Sequence, residues 1–453
     1  MGFLRVEDII QATGGRILCG KQTEFSGLSI DSRTIKNGEL FIALRGPNFD
    51  GNNFLYDALI NGCCAIVDFP PSEHVKGKMI IHVKNTLKAL HDIAGYIRSK
   101  ANVPVIGITG TNGKTTTKEL IASIFSQSRK VLKTSGNLNN HIGLPLCIAR
   151  MDGDERVMVL EMGSSIQGDI RQLCEISHPD FAVVTNVGPA HLEGFGSIEA
   201  IRSTDLEILD YVKVVSVNAD DKFLTEGING FGGKLITYGI EDPADVYAED
   251  IVSRDIGSDF RLCFPGDRNI RINLGISGRF NIYNALAAAS IADALGTGLE
   301  DIKRGLESFA GVPMRLEIKE ISGSLIISDV YNANPASMDE AVKELARLKR
   351  QRTVAVLGDM LELGTYSEEA HRKLLRHLSE MKIDILIAVG PEMITASSEF
   401  SGTCYTADDS DAARSLLLSI FSSGDTILVK GSRGMRMEKA LQELVLKGER
   451  HAV

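Results

Sequence analysis

PVIGITGTNGKTTTKELIASIF, residues 104–125, is the stretch from which the rest of the chain is read. PVIGIT is short and apolar, as a buried strand is. KTTTKEL at 114–120 opens a helix on which Leu120, Ile121, Ile124 and Phe125 form one apolar stripe. Between them lies a glycine-rich turn. Glycines there let backbone N–H groups turn toward an anion, and the helix N-terminus adds a favourable dipole. Strand, turn, Lys-Thr and helix together form the context of a phosphate loop. The strict G-x-x-x-x-G-K-[ST] form fails, because Ile108 stands where the first glycine belongs. The alternative is a plain glycine turn before a helix, and Lys114-Thr115 at the right offset argues against it. Gly110, Thr111, Asn112, Gly113 and Thr116 are then expected around a nucleotide's phosphates. Lys114 would neutralise the β- and γ-phosphates, and the Thr115 hydroxyl would ligate Mg²⁺.

Further apolar runs at 156–162, 180–187 and 212–218 alternate with helical patterns, which predicts a parallel, doubly wound sheet. In such sheets, functional groups sit just past the carboxyl ends of strands. Glu161 ends one predicted strand and His191 follows the next. Both should face the loop as Mg²⁺ ligands, direct or through water. Taken singly, Glu161 reads equally well as a helix cap and His191 as a surface residue.

Outward from this centre, residues 1–100 read as a small α/β unit, with apolar runs at 39–46 and 61–69. After about residue 245, DFRLCF and RNIRINL suggest a small antiparallel excursion, followed by a helix at 281–295. A second α/β cycle begins near 311. Its strands are expected at 324–330, 353–359, 384–390 and 425–431, and its helices at about 337–348, 367–380, 409–421 and 437–446. The fold class expected is α/β in three domains. These are a small N-terminal domain (1–100), a central P-loop-type, mostly parallel sheet (101–310) and a C-terminal Rossmann-like parallel sheet (311–453). A length of 453 residues suits three such units. The net charge of −10 argues against a general binder of nucleic acid or anionic membrane. Seven scattered cysteines without a C-x-x-C pair disfavour a disulfide framework and a structural zinc site, and suit a reducing compartment. No signal peptide, myristoylation motif or membrane-length apolar run is evident, so a cytoplasmic protein is expected. A monomer is expected as well.

TGTNGKTTTKE (109–119), Asn137 to Pro145, LEMG (160–163) and GPAHLEGFGS (188–197) resemble the central domain of the Mur ligases. DSRTIKNGELFIALRGPNFDG (31–51) is similar to the uridine-nucleotide domain of the branch that makes the last peptide addition. SDVYNANPASM (328–338), LGDMLELG (357–364) and KGSRGMRMEK (430–439) resemble its C-terminal domain. The D-N-P-R motif of the diaminopimelate-adding branch is absent, and YNANPASM stands in that region. The resemblance implies an ATP- and Mg²⁺-dependent amide ligase. Its substrates would be UDP-N-acetylmuramoyl-tripeptide and D-alanyl-D-alanine, and it would work through an acyl phosphate. It also implies roles. Lys114, His191 and Arg315 act in catalysis, His191 supporting a second Mg²⁺ near the acyl group or helping to receive the amine proton, and Arg315 reaching the γ-phosphate. Asn281 and Asn284 contact adenine, and Asp329 the ribose. Ser29, Ser32 and Arg33 hold the uridine diphosphate. Asn334, Ser337 and Arg433 orient the dipeptide or tripeptide, with turn and capping chemistry as their other reading.

The family usually carries a carbamylated lysine about fourteen residues after this histidine, where it helps hold a second metal; here Asp205 stands at that offset. Asp205 is expected to supply the anionic ligand, directly or through a bridging water. The rival is a weakened second metal site. Phe280 stands where the family often has His, and either stacks on a base or packs in a core. Asn52 replaces the His of a D-G-H motif. Alternatives within the fold are a sister ligase adding a single amino acid and a folylpolyglutamate synthase; the DSR segment argues against the latter. A nucleotide-binding scaffold is motivated only by Asp205, and a P-loop motor or GTPase by no further motif. Nucleotide contacts from two domains also predict closure of the C-terminal domain over the site.

Overall fold

The computed structural model describes residues 4–72 and 76–450, with side chains as far as residue 444. Three open sheets organise it. The N-terminal sheet runs Arg16–Cys19, Met79–His82, Cys64–Val67, Glu39–Ile42, Gly27–Ser29; its first pair is antiparallel and the rest are parallel. The run ELFIA supplies a strand buried on both faces. Leu40 and Ile42 enter one apolar cluster, and Phe41 and Ala43 the other, as the period-2 alternation of a strand requires.

The central sheet has nine strands. Their order is Val131–Lys133, Val157–Glu161, Val105–Thr109, Phe181–Val184, Val214–Asn218, Lys234–Gly239, Val246–Ser253, Ser258–Phe264, Arg268–Leu274. All neighbours are parallel up to Val246–Ser253, and the last two pairs are antiparallel. The expected antiparallel excursion therefore extends the same sheet. Phe260, Leu262, Phe264, Ile272 and Leu274 alternate toward the cluster that also holds the helix Arg279–Ala294. The helix Lys114–Ser126 buries Leu120, Ile121, Ile124 and Phe125 completely in that cluster. At about 1.5–3 kcal/mol for each fully buried side chain of this size, packing anchors the helix even though no side chain caps its start.

The C-terminal sheet runs Glu317–Ile321, Ser324–Asp329, Asp425–Lys430, Arg352–Gly358, Ile385–Val389, Thr403–Ala407, with only the first pair antiparallel. Its two edge strands, EIKEI and TCYTA, were not singled out by the apolar runs. They carry polar residues because one side of an edge strand meets water. No helix of the described residues is long and apolar enough to cross a membrane. All seven cysteines are free.

Candidate active site

The strand Val105–Thr109 lies between Val157–Glu161 and Phe181–Val184, so its loop opens at the point where the chain order reverses. Gly110 (φ 120°) and Gly113 (φ 83°) occupy backbone conformations that side chains rarely adopt. A Cβ on Gly110 would lie 2.2 Å from Thr185 Oγ1, and one on Gly113 would lie 2.3 Å from Asn284 Oδ1. Asn186 clamps the loop. Its carbonyl accepts from Thr111 N–H (2.8 Å), its Oδ1 from Asn112 N–H (3.0 Å), and its Nδ2 donates to Asn112 O (3.1 Å). The helix Lys114–Ser126 starts at Gly113 without a side-chain cap, which leaves its first-turn end suited to an anion. The Lys114 ammonium donates to the carbonyls of Gly110 and Thr111, inside the loop. Burial pushes its pKa down, while the carboxylates of Asp205 and Glu161 oppose that shift.

Glu161 is 3% exposed. Its Oε1 accepts from Asn139 Nδ2 at 2.9 Å, and its Oε2 is buried without a hydrogen-bond partner. The nearest cation, Lys118, is 3.8 Å from that oxygen and donates instead to Thr134 O at 2.8 Å. A buried carboxylate oxygen left unpaired beside a phosphate loop suits a hard divalent cation, and Thr115 and His191 line the same cavity. His191 is held in the left-handed region (φ 51°, ψ 31°), strain of the kind that collects at functional sites. Its Nδ1 meets the carboxylate of Glu362 from the C-terminal sheet.

Asp205 lies elsewhere. It is 1% exposed and off the cavity wall. Its Oδ1 accepts from the Thr109 hydroxyl at 2.7 Å, and Gly110 N–H and the Ser164 hydroxyl also bond it. Burial pushes its pKa up, and Lys114 and these donors pull the other way. The position that the sequence offset suggested for a metal ligand thus sits beneath the loop, joined to its first residues.

A cavity of about 1160 Å³ separates this wall from the C-terminal sheet. It brings together Thr111 to Thr116, Glu161, His191, Asn281, Asn284, Arg315, Asp329, Asn334, Ser337 and Arg433. Arg315 is set between two left-handed residues, Met314 (φ 66°) and Leu316 (φ 45°). Such non-glycine conformations cost about 1–3 kcal/mol each and persist where the surroundings enforce them. The Arg315 guanidinium lies 4.0 Å from the centre of the Tyr331 ring and donates to Thr115 Oγ1 at 2.9 Å. Asn334 exchanges side-chain hydrogen bonds with Asn112 across the cavity (2.8 and 3.4 Å), and with Ser337 it forms a capping box for the helix Pro335–Arg347. Asp329 accepts from Leu316 N–H and from Lys430 Nζ (2.6 Å). Asn281 and Asn284 bond to each other, to Ser277 and to Thr117. Phe280 lines the cavity and also packs on the C-terminal core.

The structure does not bring Ser29, Ser32 or Arg33 to this cavity. They lie at the edge of the N-terminal sheet, where Arg33 is bidentate to Asp31 and holds that carboxyl down at about 2. Residues that the sequence reading passed over are Asn139, Asn186, Lys118 and Glu362. Asn139 was within a quoted motif but had no strand end to mark it as functional.

Models of the Mur ligase family match three consecutive stretches: the family's catalytic domain over 24–98, its middle domain over 108–292 and its glutamate ligase domain over 314–433. UDP-N-acetylmuramoyl-tripeptide–D-alanyl-D-alanine ligase of Bacillus subtilis (strain 168) is 35% identical over 440 residues, covering 94% of each chain. The chain belongs to the Mur ligase family. Among solved structures of the family, MurF from Acinetobacter baumannii is similar over 99% of this chain and 100% of its own, with TM-score 0.92 and 32% identity. MurF ligase from Thermotoga maritima, solved in complex with ADP, is similar over 94% and 98%, with TM-score 0.83 and 30% identity.

Proposed function

We propose that this chain joins D-alanyl-D-alanine to UDP-N-acetylmuramoyl-tripeptide at the expense of ATP, giving the pentapeptide precursor of peptidoglycan, ADP and phosphate. One observation carries this: a single cavity in which a phosphate loop faces Arg315, Asn334 and Arg433 from a second sheet, in a chain that matches a ligase of that name along nearly its whole length. Residues 1–100 would hold the uridine nucleotide through Ser29, Ser32 and Arg33. Residues 101–310 would hold ATP, and 311–453 the incoming dipeptide. The enzyme would work as a cytoplasmic monomer.

A carboxylate is a poor electrophile, so it must be activated. One carboxylate oxygen attacks the γ-phosphorus, ADP leaves, and an acyl phosphate forms. The dipeptide amine then attacks the carbonyl carbon, the carbon–oxygen bond to phosphate breaks, and a proton leaves the nitrogen. The first step brings two anions together, so charge neutralisation and positioning supply most of the catalysis. The amides from Gly113 to Thr116, at the open start of the helix, and the Lys114 ammonium hold the phosphates. Arg315, placed against Thr115 by Tyr331 and its two left-handed neighbours, brings a guanidinium to the γ-phosphate from the opposite wall. Asn281 and Asn284 lie behind Gly113 toward the adenine, and Asp329 toward the ribose. Thr115, Glu161 and His191 would hold Mg²⁺, which neutralises phosphate charge when bound. Asp205 supports the loop from beneath and is not itself a ligand. Contacts of Arg315 and Asn334 across the cavity close it against water, which would hydrolyse the acyl phosphate.

The test is phosphate release from ATP and UDP-muramoyl tripeptide, with and without D-alanyl-D-alanine. Release that depends on the dipeptide supports the proposal. Release that depends on a single amino acid instead points to a sister ligase, and no release points to a scaffold.

A further inference from the structure

Those roles leave the incoming amine without a counterpart on the protein. D-Alanyl-D-alanine is a zwitterion whose ammonium and carboxylate are separated by about two residues of chain, roughly 6–7 Å. The strands Arg352–Gly358 and Asp425–Lys430 are parallel neighbours with Leu357 opposite Lys430, so the loops that follow them leave the sheet side by side. The loops are also tied together. Leu361 N–H donates to Ser432 Oγ (2.8 Å), and Ser432 N–H to Asp359 O (3.1 Å). The first loop carries Glu362 and the second Arg433. Both line the cavity, with side chains 58% and 54% exposed. Arg433 pairs with the half-buried carboxylate of Glu438 at 3.1 Å, and Glu362 reaches across to His191.

We propose that Glu362 receives the ammonium of the incoming dipeptide beside His191, while Arg433 on the adjoining loop takes its carboxylate. This rests on the ligase reading above and adds to it the groups that select a zwitterionic nucleophile. The two neighbouring loops carry the opposite charges that the two ends of the dipeptide call for. The alternative is that Glu362 only docks the two sheets together. An exposed carboxylate–imidazole pair contributes little to docking. The backbone of this loop already docks without it, since Glu193 N–H donates to Glu362 O at 3.2 Å.

Glu362→Gln removes the charge and keeps the shape. Two reactions are compared in the full-length enzyme with ATP and UDP-muramoyl tripeptide. One is ligation of D-alanyl-D-alanine. The other is hydroxamate formation with hydroxylamine, a small neutral nucleophile that traps the acyl phosphate without a bound dipeptide. Loss of one charge-assisted contact predicts a KM for the dipeptide raised about tenfold or more, with ligation falling about tenfold further than hydroxamate formation. Glu362→Asp should recover part of the loss. For Arg433→Gln, the parent's preference for D-alanyl-D-alanine over D-alanyl-D-alaninamide should disappear. Equal falls in ligation and hydroxamate formation would overturn the assignment, because Glu362 would then act through His191 or through closure. An unchanged dipeptide KM would overturn it as well. A parent enzyme without dipeptide-dependent phosphate release would instead overturn the ligase reading itself.

Discussion

Asp205→Ala separates support of the phosphate loop from metal binding. The carboxylate is buried at 1% exposure and accepts from the Thr109 hydroxyl, Gly110 N–H and the Ser164 hydroxyl. Truncation strands two buried donors, the Thr109 hydroxyl and Gly110 N–H, at about 1–3 kcal/mol each, while the half-exposed Ser164 hydroxyl can turn to water; the cost is partly offset because the carboxylate's own burial penalty is removed. It also takes away one of the two carboxylates facing the Lys114 ammonium. A net loss of about 3–5 kcal/mol follows, the range found when one partner of a buried polar pair is removed. In a unit of this size that lowers Tm by about 6–20 °C. Asp205→Asn, which keeps the shape but must donate as well as accept, should fall between. The assay is thermal unfolding with and without Mg²⁺, followed by turnover as a function of Mg²⁺ concentration. The account expects a large drop in Tm in both conditions, with the Mg²⁺ dependence of the remaining activity close to the parent's. A variant that melts within about 2 °C of the parent but needs far more Mg²⁺ would refute it and restore Asp205 as a ligand.

Gly113→Ala puts a Cβ 2.3 Å from Asn284 Oδ1 at φ 83°, so ATP binding measured by calorimetry should be largely lost while the fold persists. Arg315→Ala removes a preorganised cation from the γ-phosphate and should lower kcat about 10²–10³-fold, with a smaller effect on the KM for the dipeptide. Burial raises the pKa of Asp220, but N–H donors of Ile240, Glu241 and Asp242 and the Tyr283 hydroxyl outweigh it and hold the carboxyl below its usual value. A group depressed in the folded state stabilises above its unfolded pKa of about 4 and loses that stability as pH falls through the folded value. Thermal unfolding of Asp220→Asn should therefore depend less steeply on pH below about 4 than that of the parent. The proposed nucleotide contacts come from both the central and the C-terminal sheets, so small-angle scattering should report a more compact particle with ATP analogue and both substrates than without; identical profiles would count against closure.

Burial follows sequence pattern, so the elements around the phosphate loop were legible. PVIGIT and the stripe Leu120, Ile121, Ile124 and Phe125 lie where their periodicity places them. Glu161 and His191 were legible because position past a strand's end is a topological property. Edge strands such as EIKEI and TCYTA were not, since half their surface is solvated and their composition is mixed. At Asp205 spacing and geometry record different things: its offset from His191 is that of the family's ligand, while its short side chain lies under the loop against Thr109, Gly110 and Ser164. Glu362 was hidden because its meaning depends on a contact between two sheets. Its partner His191 lies 171 residues away in the chain, and no local pattern records that distance.

The central claim is that a peptide carboxylate is activated at this phosphate loop and then captured by an amine. It is tested most directly by labelling the reacting carboxylate of the tripeptide with ¹⁸O and analysing the phosphate released during ligation of D-alanyl-D-alanine. An acyl phosphate leaves one carboxylate oxygen on phosphorus, so the account predicts one ¹⁸O atom in each phosphate formed. Phosphate free of label, with one labelled oxygen in the new amide and the other released in water, would contradict it.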